Sequence, residues 1–360
     1  MLLHLLAFAA VLAAQPAAKP KRPQTPQPPF PYLTRDVSFT SSAGLVQLAG
    51  TLIVPKLDAR APCVILVPGA GAVDRDDTIM GHKPFLVIAD YIARHGIAAL
   101  RLDSRGVGGS SGNYNQSTGD ELAADLLSAI EFLKKQPDIE PRAIGLVGHS
   151  AGGIVASLAA AKSPDVKFLV LLAAPGLPDT ELLAIRVGEA GASRGLSAAK
   201  VLKTQEAFRQ ARARMLRGES DPEMKGALVD VVRLMLPPGV DAPPQALVAA
   251  VDQEIAAART PNRSFFLSHD PRVSLSRVSC PVLALNGSKD QNVPAKESLA
   301  AIREALARGK SPDAKVVEID GLNHFFQPAI TGSSMEVGQI EETFSPRALE
   351  LIVSWVQSQR

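Results

Sequence analysis

The chain has 360 residues, 46% of them hydrophobic, with a formal net charge of +2. That much apolar material supports a large buried core and excludes a disordered chain, and the near-neutral balance gives no electrostatic footprint for nucleic acid. No apolar run reaches the roughly 18 residues that cross a bilayer, and two cysteines, Cys63 and Cys280, are too few for a disulfide scaffold.

In chain order, Leu2 to Ala14 is apolar apart from His4 and ends in small residues. It reads as a signal peptide over residues 1–14, so export to the periplasm or the exterior is expected. Residues 15–33 carry Pro16, Pro20, Pro23, Pro26, Pro28, Pro29 and Pro31, the composition of an extended, solvated linker. From residue 34 apolar runs alternate with helical patterns. Leu45–Pro55, Ala61–Pro68, Ile97–Asp103, Ala143–Val147 and Phe168–Ala173 read as strands. Phe85–Arg94, Asp120–Gln136 and Gly152–Ala161 read as helices, the first stopped by His95-Gly96. Continuous apolar strands imply a mostly parallel sheet covered by helices on both faces.

The alternation stops over residues 177–276, where only helical patterns occur, and resumes at Pro281–Leu285 and Val316–Ile319. A last helix starts at Ser345-Pro346. The expected architecture is an α/β core of residues 34–176 and 277–360 with a helical cap inserted after the sixth strand. Ser197–Leu216 carries Lys200, Lys203, Arg209, Arg212 and Arg214, which reads as a solvated helix face. Leu182, Leu183, Ile185, Phe208, Leu228, Leu234 and Met235 are expected to face the core, a few of them lining an acyl pocket.

Gly-x-Ser-x-Gly occurs twice, around Ser110 and around Ser150. A nucleophile at a strand-to-helix elbow needs a buried strand before it and a helix after it. Ser150 follows Ala-Ile-Gly-Leu-Val-Gly-His and precedes Ala-Gly-Gly-Ile-Val-Ala, which meets both conditions. Ser110 is followed by Ser-Gly-Asn-Tyr-Asn, turn chemistry. A serine hydroxyl needs a base, and His324 directly follows a strand and so lies at the carboxyl edge of the sheet, where parallel sheets collect ligands. Asp290, emerging after the preceding strand, is the expected carboxylate, with Asp179 as the second choice. The oxyanion donors are expected to be the N–H of Ala151 and that of Ala70 or Gly71. His82, His149 and His269 are weaker candidates for substrate contacts. No His/Asp/Glu group has ligand spacing, so no metal is expected.

The stretches Val67–Gly71, Asp103–Gly108, Gly148–Gly153, Ser268–Pro271, Cys280–Gly287 and Gly321–Phe326 resemble one branch of the α/β-hydrolase superfamily. That branch is similar to EstD-type carboxylesterases and dienelactone-hydrolase-like proteins. Dienelactone hydrolases proper use a cysteine, and this chain has Ser150. The resemblance implies a cap-bearing serine esterase without cofactor, acting on a small-molecule ester through an acyl-enzyme. A peptidase or acyl-thioesterase would use the same triad, with Glu181 and Glu189 as candidate amine anchors. A non-catalytic binding protein is the remaining alternative. Oligomeric state leaves no mark in the sequence.

Overall fold

Burial differs from strand to strand, and that difference sets each strand's place. The computed structural model describes residues 21–219, 221–236 and 242–359, so the expected signal peptide over residues 1–14 lies outside the described residues. β3 (Ala61–Val67), β4 (Ala98–Leu102), β6 (Leu169–Leu172) and β7 (Val282–Gly287) are buried at every position, and β5 (Ile139–His149) is buried from Ala143 onward. β1 (Tyr32–Thr40) and β8 (Ala314–Ile319) are largely exposed and lie at the edges. With β2 (Gln47–Pro55), the order is β1-β2-β4-β3-β5-β6-β7-β8. β3 to β8 run parallel, while β2 is antiparallel to both β1 and β4.

Strands buried on both sides require a helical layer on each face. α1 (Pro84–Arg94), α2 (Gly119–Leu133) and α3 (Ala151–Lys162) follow β3, β4 and β5. Six helices then separate β6 from β7: α4 (Asp179–Ser193), α5 (Ala198–Leu216), α6 (Pro222–Met235), α7 (Pro244–Ala257), α8 (Pro261–Ser268) and α9 (Pro271–Leu275). α10 (Ala295–Arg308) follows β7, and α11 (Pro346–Gln357) is the last helix. Phe85 and Ile88 of α1 and Ile352 and Trp355 of α11 cover one face of the sheet, against Leu66, Val147 and Leu283. Leu126, Val155 and Leu299 of α2, α3 and α10 cover the other, against Ile65, Ile144 and Leu171.

The inserted helices build a core of their own from Ala184, Val187, Phe208, Met215, Leu228, Val231 and Val251. Phe208 and Leu228, expected to face down toward the α/β core, are therefore interior to the insertion, with Leu234 and Met235 packed against the same cluster. Its last helix, α9, belongs to the α/β layer, because Leu275 packs in the core beside α3 and α10. Arg212 also departs from the expected solvated face: it is 1% exposed.

The proline-rich stretch is anchored rather than free where it is described. Arg22 donates to the carbonyls of Met80, Gly338 and Ile340. The Gln24 amide accepts from Thr343 N and Phe344 N and donates to Phe344 O. Cys63 and Cys280 are buried free thiols.

Candidate active site

β5 ends and α3 begins on either side of Ser150, whose backbone sits at φ 53° and ψ −126°. A positive φ is costly for a residue with a Cβ, and this one survives because its surroundings hold it. Ser150 N donates to Leu172 O at 2.8 Å, and Gly153 N donates to Ser150 O at 2.9 Å. Glycine is required beside it. A Cβ on Gly152 would lie 2.3 Å from the carbonyl oxygens of Val67 and Pro68, and one on Gly148 would lie 2.6 Å from Gly152 O. The close approach of α3 to β3 that these glycines permit lifts the Ser150 hydroxyl to the carboxyl edge.

His324 Nε2 lies 3.1 Å from Ser150 Oγ, and His324 Nδ1 lies 2.8 Å from Asp290 Oδ2. The other carboxylate oxygen, Asp290 Oδ1, accepts from Asn292 N at 2.7 Å and Val293 N at 2.9 Å, which fixes the carboxylate's direction. Asn323 folds the His324 turn, its Oδ1 accepting from Phe325 N and Gln327 N. With Nδ1–H given to Asp290, Nε2 is free to accept the serine proton. Burial pushes the His324 imidazole below its ordinary value; Asp290 opposes this, and His149 and Arg186 add to the lowering. The ring is thus neutral, the form a base needs.

Ala151, the first residue of α3, has an N–H that no helical carbonyl can reach. Ala70 lines the same cleft as Ser150 and Ala151. Gly71, the other expected donor, is not among the residues that line this cleft. The charged run after it shapes the loop. Arg75 donates to Asp103, Asp76 pairs with Arg101 and Lys83, and Asp74 accepts from Asp76 N and Thr78 N.

Of the three histidines expected to touch substrate, one lines the cleft. His269 does, stacked on Phe265 with ring centroids 5.2 Å apart. His82 does not: it is buried among Thr343 Oγ1, Val337 O and Gln327 Nε2, 2.9 to 3.0 Å away, and ties two loops together. His149 does not either. Its ring points behind the site, where Nε2 donates to the His324 carbonyl at 3.0 Å and Nδ1 lies 3.6 Å from Asp77. Burial alone would push His149 down, but Asp77 and the His324 carbonyl outweigh it and hold its pKa above the ordinary value. Ser110 is a turn residue: its Oγ accepts from Ala49 N and donates to Asp103 O, both at 2.9 Å. Asp179, the second-choice acid, lines the cleft but is held by Arg212 and Arg263. Among the described residues no three His, Cys, Asp or Glu side chains are grouped to hold a metal ion.

Cap helices supply the far wall. Leu182, Leu183 and Arg186 come from α4, Asn262, Arg263 and Phe266 from α8. The sequence reading missed Arg186, although its spacing from Leu182 and Leu183 puts all three on one helix face.

The sequence model of the Alpha/beta hydrolase family matches residues 64–329, most of the chain and all of this site. The chain is an α/β hydrolase. It is similar to Esterase EstD of Thermotoga maritima, 24% identical over 86% of this chain and 65% of EstD. It is also similar to the human mitochondrial palmitoyl-protein thioesterase ABHD10, 32% identical over 40% of this chain and 42% of that protein. This α/β hydrolase therefore spans less than two thirds of the length of either relative. Two solved structures share its fold: the α/β hydrolase GrgF from a Penicillium species (22% identity, TM-score 0.54, 91% of this chain and 99% of that one) and the Pyrococcus furiosus esterase Pf2001 (15% identity, TM-score 0.55, 96% and 99%). Among its described residues, no helix of this hydrolase is long and apolar enough to cross a membrane.

Proposed function

We propose that this α/β hydrolase cleaves carboxylic esters through an acyl-enzyme on Ser150. The observation that carries the reading is the continuous relay from Ser150 Oγ through His324 to Asp290, at 3.1 and 2.8 Å. Ser150 Oγ attacks the acyl carbon while His324 Nε2 takes its proton. The carbonyl becomes an oxyanion, met by the N–H groups of Ala151 and Ala70. The C–O bond to the alcohol breaks, and His324 returns the proton to the leaving oxygen. Water repeats the sequence on the acyl-enzyme, giving the acid and restoring Ser150. Asp290 keeps the imidazole in the tautomer with Nε2 free and stabilises the imidazolium. No step calls for a metal or a cofactor.

The similarity to proteins named as an esterase and as a thioesterase supports acyl transfer to water from either oxygen or sulfur. An amine-anchored peptidase is less well supported, because neither Glu181 nor Glu189 lines the cleft, and Glu181 is paired with Arg272. A panel of p-nitrophenyl esters from acetate to palmitate, run beside acyl-thioesters and peptide anilides, tests the reading. Ester turnover is expected, and cleavage of the anilides alone would overturn it.

The pH profile has a fixed sign. Because the His324 pKa is lowered from 6.5, the base form persists below that value, so the acid limb of kcat/KM for ester hydrolysis is expected below pH 6.5. A limb centred at or above 6.5 would show that Asp290 outweighs burial at His324.

Export completes the proposal, from the apolar stretch ending at Ala13-Ala14. Intact-mass measurement of the protein from a bacterial host is expected to place the mature N-terminus just after those alanines, and a retained Met1 would refute it.

A further inference from the structure

The cleft beside Ser150 holds one cation that no side chain among the described residues neutralises. Its other charges close on one another. Arg212 pairs with Asp179 and Glu254, and Arg263 pairs with the same two carboxylates, so two guanidinium groups meet two acids. Asp290 is occupied by His324 and by the N–H groups of Asn292 and Val293. Arg186 lines the cleft together with Ser150 and His324, yet its guanidinium makes no ion pair or hydrogen bond to any described residue. Its Nε is fully enclosed and unpartnered. Asp290, Asp179 and Glu189 attract it only from beyond ion-pair distance, and burial pushes its pKa down. A half-buried cation with an enclosed, idle N–H donor carries a desolvation cost that an anion in the cleft would offset.

We propose that Arg186 is the recognition site for a carboxylate on the substrate, so that the ester cleaved carries an acidic group on its acyl or its alcohol portion. The inference rests on the ester-hydrolase reading of the same cleft. The guanidinium presents a planar fork of donors that matches a carboxylate. One unpaired cation matches one negative charge, whereas a phosphate dianion would stay half-neutralised near Asp179 and Glu189. Leu182 and Leu183, one turn earlier on α4, line the cleft beside it and suit the methylenes that separate such a carboxylate from the ester. The wall thus sets apolar and cationic groups side by side, which suits a dicarboxylic half-ester or the ester of a hydroxy-acid.

Two matched pairs of esters test this. Mono-(4-nitrophenyl) glutarate is compared with its methyl ester for a charge on the acyl side, and 4-acetoxybenzoate with its methyl ester for a charge on the alcohol side. The protein is expected to favour the acid of one pair by roughly tenfold to a hundredfold in kcat/KM, the worth of a charge-assisted hydrogen bond. Arg186→Met should erase that ratio, and Arg186→Lys should keep part of it. Absence of preference in both pairs, or a preference that survives Arg186→Met, overturns the proposal. If none of the four esters turns over, the ester-hydrolase reading fails, and calorimetry decides the Arg186 site separately. The Ser150→Ala protein should then bind monomethyl glutarate more tightly than dimethyl glutarate, and adding Arg186→Met should remove the difference. Equal binding of the two by the Ser150→Ala protein would overturn the site on its own.

Discussion

Replacing Ser150 by Ala is expected to lower p-nitrophenyl ester turnover by roughly 10⁴- to 10⁶-fold. The loss is large because the groups act as a unit. Without Oγ, His324 has no proton to accept, and its hydrogen bond to Asp290 orients nothing. Asp290→Asn is expected to cost about 10⁴-fold, since an amide NH₂ facing Nδ1 selects the wrong tautomer. The fold should survive both changes. Ser150 bonds its neighbours through the backbone, and the amide oxygen that Asp290→Asn leaves in place can still accept from the Asn292 and Val293 N–H groups. Stopped assays on purified variants with matched circular dichroism measure this directly. A Ser150→Ala protein within tenfold of wild type would remove Ser150 from the chemistry.

The second large effect is structural and lies in the inserted helices. Arg212 is 1% exposed on α5, bonded to Glu254 on α7 and Asp179 on α4, with Arg263 of α8 against the same acids. Four helices share one closed ion network. Arg212→Met is expected to cost about 3–5 kcal/mol, because Glu254, itself 1% exposed, loses one of its two counter-charges inside the fold. Most of that cost belongs to the abandoned carboxylate, so adding Glu254→Gln should recover part of it. Both acids are held low despite burial, Asp179 at about 2 with Arg212 and Arg263 responsible. The network's contribution to stability is therefore complete above the ordinary carboxylate values and is lost as pH falls through the lowered ones. Denaturant midpoints read the effect. A change below about 0.5 kcal/mol for Arg212→Met, within the range of ordinary surface substitutions, would show that the network stabilises nothing.

What the sequence discloses depends on whether local pattern or distant partner decides a residue's place. The parallel strands are legible because β3, β4, β6 and β7 are apolar without alternation. The convergence of Ser150, His324 and Asp290 is legible because each follows a strand, and parallel strands deliver their ends to one edge. The elbow at Ser150 and the turn at Ser110 are told apart for the same reason: strand and helix context is local. His82 and His149 are not legible. Each has partners that lie 175 to 261 residues away in sequence. Arg212 and Arg186 are misread or missed because helical periodicity predicts which face turns inward but not which charges wait there. Ala70 and Gly71 are told apart only by which of them lines the cleft, which a run of Gly-Ala-Gly does not encode.

The most direct measurement of the central claim is the site of a covalent adduct. The protein is treated with a fluorophosphonate, digested, and the modified peptide sequenced by mass spectrometry. The adduct is expected on Ser150, in the peptide containing Gly148-His149-Ser150-Ala151-Gly152, and it should disappear in Ser150→Ala while persisting in Ser110→Ala. An adduct on Ser110, or an unmodified protein that still hydrolyses esters, would contradict the account.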